Sequence, residues 1–431
     1  MNETIDHLLA GPPSGVSEHE LVDWIARLEA VKCTAEAVQA QAAVRLEEAA
    51  RVRQTAAGVP ARKLGEGVAS QIALARRVSP AKGAKLLGLA KILLTEMPHT
   101  FRLMKAGLFS QWQATILARE TACLSLEDRR VIDDQLCATG PNGQPAKAVT
   151  MGLRQLENAA KKLAITLDQE SVVARAANAE KDRRVSLRLA PDTMTWLGAL
   201  LPVKDGVAVY AALDQAANAA RAAGDERTRG QVMADTLVDR VTGRTTAEAR
   251  PRIEVKVVMT ADALANTSDQ PAVVEGYGPV PAAWAREALA DAEVFVRRLF
   301  TDPAGRLVAM ESRSRKAPDG LAEFIATRDG GTCRTVGCDA PIRNIDHVER
   351  HTDGGETSAQ NLQGLCERCN QAKEAIGWQA RPGPDGSITT ITPTGHIYTS
   401  PPPDTWKPAP PPLSRAELRL RNALLDHTLA A

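Results

Sequence analysis

From Ser17 to about residue 180, apolar residues recur at i, i+3, i+4 and i+7, the spacing of amphipathic helices. The stretch SEHELVDWIARLEAVKCTAEAVQAQAAVRLEEAARVRQ predicts one long helix. Ser17 and Glu20 are spaced as a capping box at its start, and Gly58–Pro60 break it. The next helices are predicted over GVASQIALARRV and SPAKGAKLLGLAKILLTEM. In the second, Ser79 and Pro80 form an N-cap and first-turn pair, and Pro98 is the stop. Gly107 separates TFRLMKA from LFSQWQATILARETACL; SLEDRRVIDDQLCAT follows. A GPNGQP loop leads to the last helix of the run, AVTMGLRQLENAAKKLAITL.

Near residue 183 the period changes. RRVSLRLAPD alternates apolar and polar side chains as a strand does. VAVYAALDQAANAARAA and RTRGQVMADTLVDRVTG return to helical spacing, RIEVKVVMT predicts a second strand, and VPAAWAREALADA another helix. VFVRRLFTDPAGRLVAME reads as two short strands about a Pro-Ala-Gly turn. Towards the C-terminus, GWQARPGPDGSITTITPTGHIY predicts a hairpin turning at Pro384–Gly386. SPPPDTWKPAPPPL is an extended proline-rich linker before a short amphipathic helix. The expected fold is α+β in four parts: a helical domain over 17–182, a mixed region over 183–319, a compact module over 320–381, and hairpin, linker and helix over 382–431.

Composition adds limits. The 431 residues are 44% hydrophobic, enough for a core, but only 3% aromatic, which favours helices packed through small side chains. The net charge of +1 announces no global affinity for nucleic acid. No apolar run approaches the ~18 residues of a membrane span, and the acidic start is not a secretory signal, so a cytoplasmic, reducing compartment is expected. Cys33, Cys123 and Cys137 lie scattered in helical pattern and are expected to be buried free thiols.

The other four cysteines are paired: Cys333 with Cys338 as C-x4-C, and Cys366 with Cys369 as C-x2-C. Two such knuckles suit a tetrahedral zinc ion with no open position, hence a structural one. The loop between them carries Asp346-His347, Gly354-Gly355 and Asn361-Leu362, and Asn370 and Lys373 follow the second knuckle.

Those elements, in that order, resemble the HNH endonuclease signature. Beyond them, LAPDTMTWLGALLP, DERTRGQVMADTLVD, GYGPVPAAWAREALADA, RRLFTDPAGRLV and ATRDGGTCRTVGC resemble actinobacterial proteins that join an N-terminal domain of unknown function 222 to an HNH module. The resemblance covers about residues 20–400. It implies a ββα-metal unit, with Arg343–His347 and Asn361–Cys366 as strands and Glu367–Ile376 as the helix. It implies single-metal hydrolysis of phosphodiester bonds in DNA, with His347 as general base. Asp346 and Asn370 would hold Mg or another divalent ion through oxygen, and Asn361 would hold the loop that aims His347. Many relatives carry His-His and Cys-x2-His-His at these places. Asp346 and Asn370 replace two of those imidazoles, and a neutral amide is the weaker ligand. His351 is expected to be a loop residue.

From Glu311 to Arg381 ten Lys/Arg face eleven Asp/Glu, so the module has no positive field of its own. From Arg45 to Lys91 ten Lys/Arg face three Glu, an excess able to line phosphates or to lie in solvent. ASQIALARRVSPAKGAKLL within it has the spacing of a helix-turn-helix. Three functions stay open: a DNA-cleaving enzyme, a zinc-stabilised nucleic-acid-binding protein without cleavage, and an interaction scaffold carrying a relic of the module.

Overall fold

The computed structural model describes residues 10–12, 14–140, 143–243, 256–290 and 317–402. The strands expected over 294–311 and the C-terminal helix lie outside these residues, as does most of the proline-rich linker. The chain divides into two compact units, Met1–Arg252 and Ile253–Ala431.

The first unit is a helical bundle. Helix α1 (Glu18–Ala56) opens on the expected capping box: Ser17 Oγ accepts from Glu20 N, and the Glu20 carboxylate accepts from Ser17 N at 2.7 Å. It buries Cys33, Ala37, Ala40, Ala43 and Ala50 on one face. Alanine there lets its neighbours approach closely. Helices α2 (Val68–Ala75) and α3 (Pro80–Thr95) follow, with Ser79 capping α3. Then come α4 (Pro98–Lys105), α5 (Gln111–Glu120), α6 (Leu126–Cys137), α7 (Leu153–Leu167) and α8 (Gln169–Ala179). Pro98 stands at the start of α4 rather than merely ending α3; its missing N–H costs nothing in a first turn. Fully buried Asp133 of α6 caps that turn, accepting from His99 N, Thr100 N and Thr100 Oγ1 at 2.7, 2.9 and 2.6 Å.

Two cores result. Ala40, Ala43 and Ala50 of α1 pack with Val68 and Ile72 of α2 and Leu87 and Ala90 of α3. The larger core gathers Leu93, Met97, Met104, Phe109, Leu117, Ile132 and Leu156. Cys33 and Cys137 are buried as expected, and burial pushes the Cys137 thiol up to about 12; Cys123 is only half-buried.

Beyond the bundle, β1 (Arg184–Ala190) pairs antiparallel with β2 (Met194–Leu200). Only β1 was expected. The alternation of β1 promised one buried face, yet Val185, Leu187, Leu189, Met194 and Trp196 are all exposed; among the described residues neither face is covered. Helices α9 (Val203–Ala222) and α10 (Arg229–Thr242) follow.

The second unit begins with β3 (Val257–Val258), the described part of the strand expected over RIEVKVVMT. A turn of helix, α11 (Ala261–Leu264), precedes β4 (Ala272–Val274) and β5 (Gly278–Val280), which make a three-stranded antiparallel sheet with β3. Helix α12 (Ala282–Ala290) packs Ala285 against it. Helix α13 (Asp319–Arg328) then buries Leu321 and Ile325 against Leu362 of the hairpin described next. Among the described residues no helix is long and apolar enough to cross a membrane.

Candidate metal centre and nuclease site

Strands β6 (Asn344–His347) and β7 (Leu362–Leu365) pair antiparallel, with His347 opposite Leu362 and Asp346 opposite Gln363. Helix α14 (Glu367–Lys373) follows directly, so the ββα order is present with strand ends within a residue of those expected. Strands β8 (Gln379–Pro382), β9 (Ile388–Ile391) and β10 (Ile397–Ser400) form a second sheet; the expected hairpin gains a third strand.

The four paired cysteines converge. All are buried, and their sulfur atoms lie within 4.8 Å of one another. Cys338 Sγ and Cys366 Sγ are 3.8 Å apart. Zinc–sulfur arms of about 2.3 Å set at tetrahedral angles give edges of about 3.8 Å, so the cluster has the size of a zinc site. The fold makes it from two turns. Cys333 N donates to Ala340 O at 2.9 Å and Cys338 N to Thr335 O at 3.0 Å, closing the first knuckle. Cys366 is the N-cap of α14, its sulfur accepting from Cys369 N at 3.4 Å. Hydrogen bonds from Cys338 and Cys369 pull the Cys333 thiol far below its usual range, while the bond to Cys333 pushes Cys369 up. A bound dication would favour the thiolate form of its cysteine ligands. The donor set fits zinc.

Below the cluster sits a buried charged hub. Asp329, at the end of α13, takes Arg328 on one side and Arg334 on the other, at 2.8 and 3.1 Å, and accepts Gly364 N–H at 2.8 Å. Arg328 also donates to Ala359 O and, at 2.8 Å, to Leu362 O. Arg334 reaches Gly386 O and Pro401 O at 3.2 and 3.1 Å. One carboxylate thus ties α13, β7 and the second sheet to the first knuckle. Nothing local in the sequence marks it except the Arg-Asp step of ATRDGG, because its partners lie up to 35 residues away in the chain.

The loop from Val348 to Asn361 is pinned by Asn361, which is 6% exposed. Its Nδ2 donates to Glu349 O and Glu356 O at 3.0 and 2.9 Å, and its Oδ1 accepts Glu349 N–H at 2.8 Å. Gly355 is obligatory here: a Cβ would stand 2.1 Å from Glu349 O and 2.7 Å from Asn361 Nδ2. His347 is buried, and its Nε2 hydrogen-bonds the buried hydroxyl of Thr357 at 2.9 Å. Exposed His351 lies on the following turn, its ring 5.5 Å from that of His347, edge to face. Thr357 was not foreseen; it stands ten residues on, in a stretch that reads only as polar loop.

Asp346 is half-buried and ion-paired with Lys373 Nζ at 2.5 Å. Lys373, 8% exposed, also lies 3.5 Å from Glu374. Asn370 Oδ1 is buried without a hydrogen-bond partner, a costly arrangement for an amide oxygen unless a cation or donor meets it. That orphan oxygen and the second Asp346 oxygen are the hard donors a magnesium-like ion takes, so the residues fit such an ion.

A zinc-ribbon-like cysteine cluster braced against a ββα unit defines the class of HNH modules, and the comparisons agree. An HNH endonuclease model matches residues 332–375. A model for a domain of unknown function (DUF222) matches residues 24–329, and the chain belongs to that family. The chain is also similar to two proteins of Mycobacterium tuberculosis H37Rv, uncharacterized protein Rv3776 at 41% identity and uncharacterized protein Rv2100 at 39%, each over 85 residues. Those residues are 19% of this chain and 16% and 15% of the two relatives. No solved structure matches.

Proposed function

We propose that the chain is a metal-dependent endonuclease that hydrolyses phosphodiester bonds of DNA at the β6–β7–α14 unit. The observation that carries this reading is the buried His347–Thr357 hydrogen bond. The bond can run either way, and we assign His347 the tautomer whose Nε2–H donates to Thr357 Oγ1, in which Nδ1 is the basic nitrogen that takes a proton from water. Imidazole suits that task because its pKa lies near neutrality. Asn361 keeps the loop, and so Thr357, in place. Asp346 and Asn370 hold a divalent ion, Mg or a similar one. Such an ion supplies charge to neutralise the scissile phosphate and the leaving oxygen. The cysteine cluster holds structural zinc and takes no part in proton transfer.

A second reading, nucleic-acid binding without cleavage, is favoured by one observation: the Lys373 ammonium already neutralises Asp346. The two separate in one assay. Supercoiled plasmid is incubated with the full chain and a panel of Mg, Mn, Ca and Zn salts. Nicked or linear product that needs the added ion supports the first reading; retention of uncut plasmid supports the second.

A further inference from the structure

We propose that α2, the turn Arg76–Ser79 and α3 form a helix-turn-helix that lays the outer face of α3 against duplex DNA. The surface lies in the first unit, and its reading stands whether or not the nuclease site cuts.

The geometry comes first. An eight-residue helix and a sixteen-residue helix are joined by four residues, the connection length of this motif. Arg77 takes a left-handed conformation, φ 54°, and Val78 N–H closes the turn on Ala73 O at 2.9 Å. The two helices touch backbone to backbone: a Cβ on Gly83 would lie 2.4 Å from Ala69 O and 2.7 Å from Ala73 Cβ. Inward faces are fully used. Val68, Ile72, Leu87 and Ala90 share one core with Ala40, Ala43 and Ala50 of α1, and Leu89 and Leu93 of α3 enter the larger core, which leaves the side of α3 bearing Lys85 and Gly88 outside.

That outer face is Ala81, Lys82, Lys85 and Gly88, all exposed or half-buried and at helical spacing. It carries only small or cationic side chains, so a helix backbone can approach closely, as a major groove about 12 Å wide demands. From Val68 to Thr95 there are five Lys/Arg and no Asp or Glu. Lys91 is engaged by buried Glu47, together with Arg51. Arg76, Arg77, Lys82 and Lys85 have no carboxylate partner among the described residues. Four unpaired cations at one turn and one helix face repel each other, and a row of phosphates offsets that repulsion. An anionic lipid surface is the poorer partner, because the face offers no large apolar side chain to insert.

The test uses the full chain without added divalent ion, so that no strand is cut and binding is read alone. Fluorescence anisotropy on a labelled duplex is followed between about 50 and 200 mM salt. Lys82→Glu/Lys85→Glu, and the same pair with Arg76→Glu/Arg77→Glu, should weaken binding by about tenfold or more. The quadruple change should flatten the log–log salt slope by about 0.9 for each phosphate that the variant no longer neutralises. Lys82→Gln/Lys85→Gln should fall between these and wild type. Arg154→Glu/Lys162→Glu on α7 should change little. Circular dichroism confirms that each variant is folded. Unchanged affinity, an equal loss in the α7 control, or binding to anionic vesicles with none to duplex would each overturn the proposal.

Discussion

Asn361→Ala should loosen the loop that carries His347's partner without dismantling the four-cysteine cluster. The substitution removes three buried hydrogen bonds, two donated by Nδ2 and one accepted by Oδ1. Each contributes about 1 kcal/mol net, so a loss of about 3 kcal/mol is expected before any desolvation cost of the orphaned Glu349 and Glu356 backbone groups. At 1.4 kcal/mol per tenfold, local opening of residues 348–361 becomes about a hundredfold more frequent. Hydrogen exchange read by mass spectrometry resolves this directly, because Glu349 N–H is bonded to the deleted side chain. Peptides covering 348–361 should exchange faster by that order, while peptides covering 333–338 and 366–373 keep their protection. Asn361→Asp should be nearly as harmful, since it replaces two donors by a charge facing two carbonyl oxygens. Wild-type protection of the loop in Asn361→Ala would refute the claim that this side chain holds it.

Two further outcomes follow from the same site. Replacing any one of Cys333, Cys338, Cys366 or Cys369 by Ser should lose about one zinc per chain by elemental analysis and melt the module, because metal binding and folding share one free energy in so small a unit; a folded, zinc-free wild type would contradict it. Thr357→Val, nearly isosteric, should lower kcat with little change in KM, while Thr357→Ser, which keeps the hydroxyl, should recover most of it; equal activity in both would remove Thr357 from the positioning of His347.

Much of this was legible in the chain because it is local. The Ser17–Glu20 box and the Ser79-Pro80 start each rest on residues a few positions apart, whereas the ββα order was implied by the resemblance to the HNH signature. The cysteine cluster was legible for a different reason: two knuckles at C-x4-C and C-x2-C spacing are the donor pattern of a tetrahedral zinc site. Strand β2 was missed because MTWLGAL mixes large and small apolar residues without a two-residue period. Strands β4, β5 and β10 are three or four residues long, too short to show any period. The reach of the Arg328–Asp329–Arg334 hub to Gly364, Gly386 and Pro401, the Thr357 hydroxyl and the Lys373–Asp346 pair were missed because tertiary folding brings those partners together. The last of these matters most for chemistry. Sequence made Asp346 a free ligand, whereas the structure gives it an ammonium partner that a cation has to displace or share.

If His347 is the base of a DNA-cleaving site whose scaffold is held by other residues, its loss should stop cleavage and leave the module folded. The most direct measurement is the rate of supercoiled-plasmid nicking by wild type and His347→Ala, with zinc content and circular dichroism measured on the same preparations. A loss of about 10²–10⁴-fold in rate at unchanged zinc content and fold is expected. Asp346→Ala and Asn370→Ala should instead recover in part as divalent ion is raised. Nicking by His347→Ala at the wild-type rate, in preparations free of contaminating nuclease, would show that His347 is not the base.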